Sequence, residues 1–188
     1  MIVRGLFLMA RGAKSGIKEF DNSMDGFTAS LAPLIAFPLV GAGISAMGGQ
    51  WQLALIGFLS RLCAVLALPL ITHEFARRTG REALWLRTAT ALDWSFWLLV
   101  PMLFIAAIAG AILVQFGLPM ASAEYAALGL MGAYLLWYHW FIVRTGLVLG
   151  RGQAAFLVVI TGLTVALFSA GPFLLNYAIT GSSGLPVG

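Results

Sequence analysis

The chain has 188 residues, carries 11 Lys and Arg against 7 Asp and Glu, and is 61% hydrophobic with only 10% charged side chains. Soluble domains carry about a quarter charged residues, so this composition excludes an ordinary globular domain and a disordered chain. The net charge of +4 is read here as basic flanks of membrane spans and not as a nucleic-acid surface.

Residues 1–25 form the first predicted segment. Arg4, Arg11 and Lys18 recur every seven residues with Lys14 beside them, and Ile2, Val3, Leu6, Met9, Ile17 and Phe20 fall largely opposite. That pattern predicts an amphipathic helix lying in the membrane interface, its basic face toward anionic headgroups. The apolar stretch Leu6–Ala10 is too short for the core of a signal peptide. Asp21, Asn22, Ser23 and Asp25 then break the pattern and offer caps for the helix that follows.

Five apolar runs come next: Phe27–Met47, Trp51–Thr72, Trp94–Gly117, Tyr125–Gly150 and Ala154–Tyr177. Each exceeds or meets the roughly 20 residues that cross a bilayer as a helix. The predicted fold class is all-α, a membrane bundle of five transmembrane helices over residues 26–178, followed by an external tail at 179–188. Basic residues flank alternate ends: the amino-terminal segment, then Arg77, Arg78, Arg81 and Arg87, then Arg144 and Arg151. The connections near 48–50 and 118–123 and the tail carry none. The positive-inside rule therefore predicts a cytoplasmic amino terminus and an external carboxyl terminus. The stretch Arg81–Leu92 is expected as a short surface helix leading into Trp94. Pro33, Pro38, Pro69, Pro101 and Pro172 interrupt four spans, and each removes a helical N–H from the carbonyl four residues earlier.

Arg61 is the foremost candidate for chemistry. It lies near the middle of the second run, where an arginine costs about 2.5–3.5 kcal/mol on insertion scales. No acidic residue is predicted at its depth. Pro38 falls at a matching depth in the first run, so Arg61 is expected to donate to the carbonyl of Leu34. Ser30, Thr161 or Thr164 is expected nearby. His139, inside the fourth run, completes this intramembrane polar site, either as a packing residue or as a proton relay. Arg4, Arg11, Lys14, Lys18, Arg77, Arg78 and Arg81 are the candidate headgroup-binding residues. Glu74 has helical spacing to Arg77 and Arg78 for a surface pair. His73-Glu74-Phe75-Ala76-Arg77 has Arg77 where a zinc protease needs its second histidine, so the motif fails. No metal, no cofactor and no catalytic residue is expected. Cys63, the one cysteine, allows no intrachain disulfide.

The runs Ser30–Gly41 (SLAPLIAFPLVG) and Ala91-Leu92-Asp93-Trp94-Ser95, set in five tight spans, resemble the Yip1-like class of small five-span membrane proteins, especially its uncharacterised bacterial members. The acidic, Gly-Pro-containing segment that eukaryotic relatives carry before the first span is absent. The resemblance implies a scaffold or interaction protein of a bacterial inner membrane. The expected function is therefore non-catalytic, organising membrane lipids, anionic headgroups on the cytoplasmic side, a second copy or another membrane protein. A small transporter with Arg61 at a midplane site is the alternative.

Overall fold

The structure, a computed structural model, describes the backbone of residues 2–49 and 51–180; the side chains at 33, 37, 53 and 172–180 fall outside the description, as do residues 181–188 of the expected tail. Every regular element among the described residues is helical: α1 (Ile2–Ala10), a 3-10 segment (Lys14–Glu19), α2 (Met24–Met47), α3 (Trp51–Arg78), a 3-10 turn (Glu82–Leu84), α4 (Trp85–Ser95), a 3-10 turn (Phe96–Leu98), α5 (Leu99–Gln115), α6 (Met120–Gly146) and α7 (Arg151–Thr180). Five helical rods are long and apolar enough to cross a membrane: α2, α3, the composite from Glu82 to Gln115, α6 and α7. Their outward faces carry large apolar side chains, among them Ile44 (68% exposed), Leu130 (72%) and Leu163 (65%). So much apolar surface suits a hydrocarbon surround and not water. The architecture fits an integral membrane protein.

Local chemistry places the helix ends. Ser23 caps α2, its Oγ accepting from the Gly26 N–H at 3.1 Å, and Asp25 sits in the first turn, where the helix dipole favours a negative charge. Four helix ends share one closing geometry. At Gly12, Gly80, Gly117 and Val148 the backbone takes a positive φ, and the next N–H reaches back five residues: Ala13 to Leu8, Arg81 to Ala76, Leu118 to Leu113, Leu149 to Arg144. This is the helix stop in which glycine is favoured because it has no Cβ to clash. Val148, at φ 54°, is the exception, and a β-branched residue there is strained.

The helices assemble around the arginine-rich end. α2 packs on α3, α3 on α7, and α6 on both α5 and α7; α4 wedges between α2 and α6 and also touches α3. The surface helix expected over Arg81–Leu92 is instead α4, and its Thr88, Ala89, Thr90, Ala91, Leu92, Asp93 and Ser95 are all buried. Small side chains are the reason: α6 approaches so closely that a Cβ on Gly146 would overlap the Thr88 hydroxyl and lie 2.8 Å from its methyl. Asn22 ties the chain ahead of α2 to the start of α4, its Oδ1 accepting from the Arg87 N–H at 3.1 Å. Pro101 sits in the first turn of α5, just past the 3-10 turn Phe96–Leu98 that interrupts the third rod, and it has no N–H to offer that turn's carbonyls.

The single interfacial helix expected at the amino terminus is divided. The chain reverses at Gly12, and Lys14–Glu19 folds back on α1. Two glycines permit it: a Cβ on Gly16 would lie 2.9 Å from the Gly5 carbonyl, and one on Gly5 would lie 2.9 Å from the Phe20 ring. Leu6, Met9, Ile17 and Phe20 join the main buried cluster. Tyr134 donates to the Ala10 carbonyl at 2.8 Å, and Tyr138 to the Leu6 carbonyl at 3.3 Å. The hairpin is thus bound to α6.

Two stability outcomes follow. Gly146→Ala should lower stability by about 1–3 kcal/mol through overpacking, whereas Gly152→Ala, with open space around it, should not; SDS or thermal unfolding in detergent reads both. Val148→Gly should raise stability by about 1 kcal/mol by relieving the left-handed backbone, read in the same assay.

Candidate functional site

Two of the cavities among the spans hold the residues singled out from the sequence. The first, about 370 Å³, lies between α2, α3 and the start of α5. Leu34 and Pro38 line it from α2, Arg61, Ala64 and Val65 from α3, and Phe96, Trp97, Leu99 and Val100 from the third rod. Leu34/Pro38 and Arg61/Val65 are four apart, so each pair shares one helix face and the walls run along the helix axes. The cavity is an open groove in an apolar wall with one guanidinium in it.

Arg61 is exposed in this groove. The expected hydrogen bond to Leu34 is not formed; among the described residues Arg61 makes no hydrogen bond and no ion pair. Its Nη1 lies instead beside Gly41, 3.5 Å from the point a Cβ there would occupy. The antiparallel hairpin explains the shift. α2 and α3 turn near Gly48–Gly49, and the long side chain slides toward that turn, where glycine leaves room. Leu34 still lines the same groove, and Pro38 supplies no N–H to its carbonyl.

The second cavity, about 380 Å³, lies between α3, α6 and α7 and is lined by Thr72, His139 and Thr161 among apolar side chains. The structure therefore separates the residues grouped from the sequence: Arg61 and Leu34 belong to one cavity, His139 and Thr161 to the other, with Phe96 contributing to both. His139 Nδ1 lies 2.9 Å from the Leu135 carbonyl. A carbonyl only accepts, so Nδ1 carries a proton, and Nε2 faces Ser95 Oγ at 3.4 Å. Thr161 donates to its own helix at Leu157, 2.9 Å away, and Thr164 to Ile160 at 2.9 Å. No cluster of three His, Cys, Asp or Glu is placed to hold a metal among the described residues.

One polar site was missed in the sequence. Asp93 is 1% exposed and Ser30 0%. Ser30 Oγ lies 2.9 Å from Asp93 Oδ2 and 2.6 Å from the Phe27 carbonyl. A hydroxyl has one proton, so Ser30 either shares it between the two acceptors in a three-centre bond or meets a protonated carboxyl. Asp93 Oδ1 has no partner among the described residues. The signal that could have found the site is the stripe Thr88, Ala91, Leu92, Ser95 at i, i+3, i+4 and i+7, a helix face made for close packing.

The basic residues stand at one end. Arg77 and Arg78 both pair with Glu74 at 2.6 Å, realising both predicted pairs. Arg4 lies 3.6 Å from Glu19, and Arg11 stacks 5.1 Å over the Phe7 ring. Lys14 and Lys18 are exposed, and Arg81 is half-buried. Cys63 lies exposed on α3, outside the packed interior.

Asp93→Asn, whose amide permanently supplies a proton toward Ser30, should keep stability close to that of the parent. Asp93→Ala should lower it by about 1–3 kcal/mol by stranding buried groups. Chemical unfolding of both variants in detergent checks the contrast; equal loss in both would contradict the protonated carboxyl and leave the three-centre bond. No protein-family model, no curated protein and no solved structure matches the chain.

Proposed function

We propose that this chain is a non-catalytic scaffold of a bacterial inner membrane that holds another bilayer component against the groove between α2, α3 and α5. The reading sets α1 and the Arg77/Arg78/Arg81 end toward the cytoplasm, by the positive-inside rule, where those cations meet anionic headgroups. The observation that carries it is Arg61: a cation at mid-span, open to the groove and without an acceptor among the described residues. A buried charge needs a partner, and a lipid-facing charge needs one for the same reason.

Other polar side chains in the spans support the non-catalytic reading. Thr72, Thr161 and Thr164 each bond a carbonyl of their own helix, and His139 does likewise. Those bonds are local, and among the described residues the one cross-helix hydrogen bond of this set is His139 with Ser95. A transporter would be served by Arg61 and His139 on one path, but they line different cavities. The Yip1-like resemblance points to the same scaffold role.

Site-specific photocrosslinking in native membranes tests the proposal. A crosslinker at Val65 or Val100 should yield one discrete adduct that disappears with Arg61→Leu, and one at Leu163, on the outward face of α7, should not. Equal, diffuse labelling at all three positions would defeat it.

A further inference from the structure

We infer that the occupant of the Arg61 groove is a transmembrane helix of a different protein, carrying one Asp or Glu near mid-bilayer. This rests on the scaffold reading above and names the partner's chemistry. Three observations lead to it.

The first is depth. The Arg61 backbone stands ten residues beyond Trp51, the start of α3, about 15 Å along the helix axis. Its Nη1 reaches back beside Gly41, six residues from the end of α2 and about 9 Å along that axis, still inside a hydrocarbon core of roughly 30 Å. A lipid phosphate resides at the interface, well above that level. A side chain of a crossing helix can stand at any level.

The second is the poverty of polar groups around it. The walls include Leu34, Pro38, Val65, Phe96 and Trp97, whose indole N–H is the other polar side-chain group there, with Arg61 the one charged side chain. A headgroup brings many polar atoms, each needing a partner. A helix satisfies its own backbone internally, so an acidic helix brings one unsatisfied group, and a guanidinium grips a carboxylate with two parallel bonds. The wall direction agrees, since residues four apart on α2 and α3 make a trough suited to an apolar helix face.

The third weighs against a second copy. The chain has 7 acidic residues: Glu19, Asp21 and Asp25 at or before the start of α2, Glu74 in the last turns of α3, Glu82 in a connection, Asp93 in α4 and Glu124 in the second turn of α6. Glu124 lies four residues from the start of α6, about 6 Å along its axis, on the side of the bundle where α3 begins. Asp93 is buried against Ser30. None stands at the level of the Arg61 backbone, and Glu124, the nearest in level to its guanidinium, lines a separate groove between α5 and α6.

The full chain, with Cys63→Ser and a donor dye on Ser122→Cys, is reconstituted in phosphatidylcholine vesicles with acceptor-labelled Leu/Ala transmembrane peptides. A peptide with a central Glu should associate at least about tenfold more tightly than one with a central Leu, or with Glu one turn from its end, a modest gain for a close charge pair in a poorly solvated setting. Arg61→Leu should abolish the preference, and Arg61→Lys should keep part of it. Thermal melts show whether the Arg61 variants are folded.

Equal association of the Glu and Leu peptides overturns the inference. So does a preference that survives Arg61→Leu, one erased by adding phosphatidylglycerol, which would identify a lipid occupant, or Arg61-dependent energy transfer between two copies of the chain. If the Val65 and Val100 crosslinks form as expected while the peptides show no acid preference, the scaffold reading stands and the acidic helix falls.

Discussion

Thr88 of α4 rests so closely on Gly146 of α6 that no side chain fits between them. Helices in lipid gain little from the hydrophobic effect, since the surrounding chains are equally apolar, and they associate through close approach and polar contacts. α4 supplies both. Its alanines at 89 and 91 are fully buried, Asp93 bonds Ser30 of α2, and Ser95 faces His139 of α6. Trp85, at its start, donates to the Pro69 carbonyl of α3 at 3.1 Å. One short helix thereby joins three long ones at a single end of the bundle.

The open groove is the other side of that arrangement. Beyond the 3-10 turn at Phe96–Leu98 the third rod becomes α5, whose main partner is α6, while α2 stays with α3. The rods gathered by α4 diverge past it, and the wedge between them is where Arg61 emerges. The cation and the space beside it share one geometric origin. Arg61 is kept from collapsing onto a neighbour because the helix that could have covered it has been drawn toward α6.

The five spans were legible because the bilayer imposes a length and an apolarity that few other structures need. Arg61 was legible for the same reason, as a charge where charges are costly. α4 was not. Its Thr and Ala residues look neither apolar enough for a span nor polar enough for a loop, and their value lies in size, which becomes visible only when α6 is beside them. The burial of Asp93 went unread along with it. The amino-terminal hairpin was read as one helix because its heptad-spaced cations survive the turn on paper; Gly12, at φ 77°, ends the helix regardless. Leu34 was chosen as the acceptor for Arg61 from depth alone, and the reach of the arginine side chain toward Gly41 lay outside that reasoning.

The tyrosine bonds to the hairpin also impose an order of events during synthesis. Ala10 leaves the ribosome well before Tyr134, its donor, and at 5–20 residues per second the interval is on the order of ten seconds. For that time α1 lacks its α6 partner, and its apolar face, Leu6 and Met9, has chiefly the 3-10 segment folded back on it for cover. A segment made early is thus fully seated late.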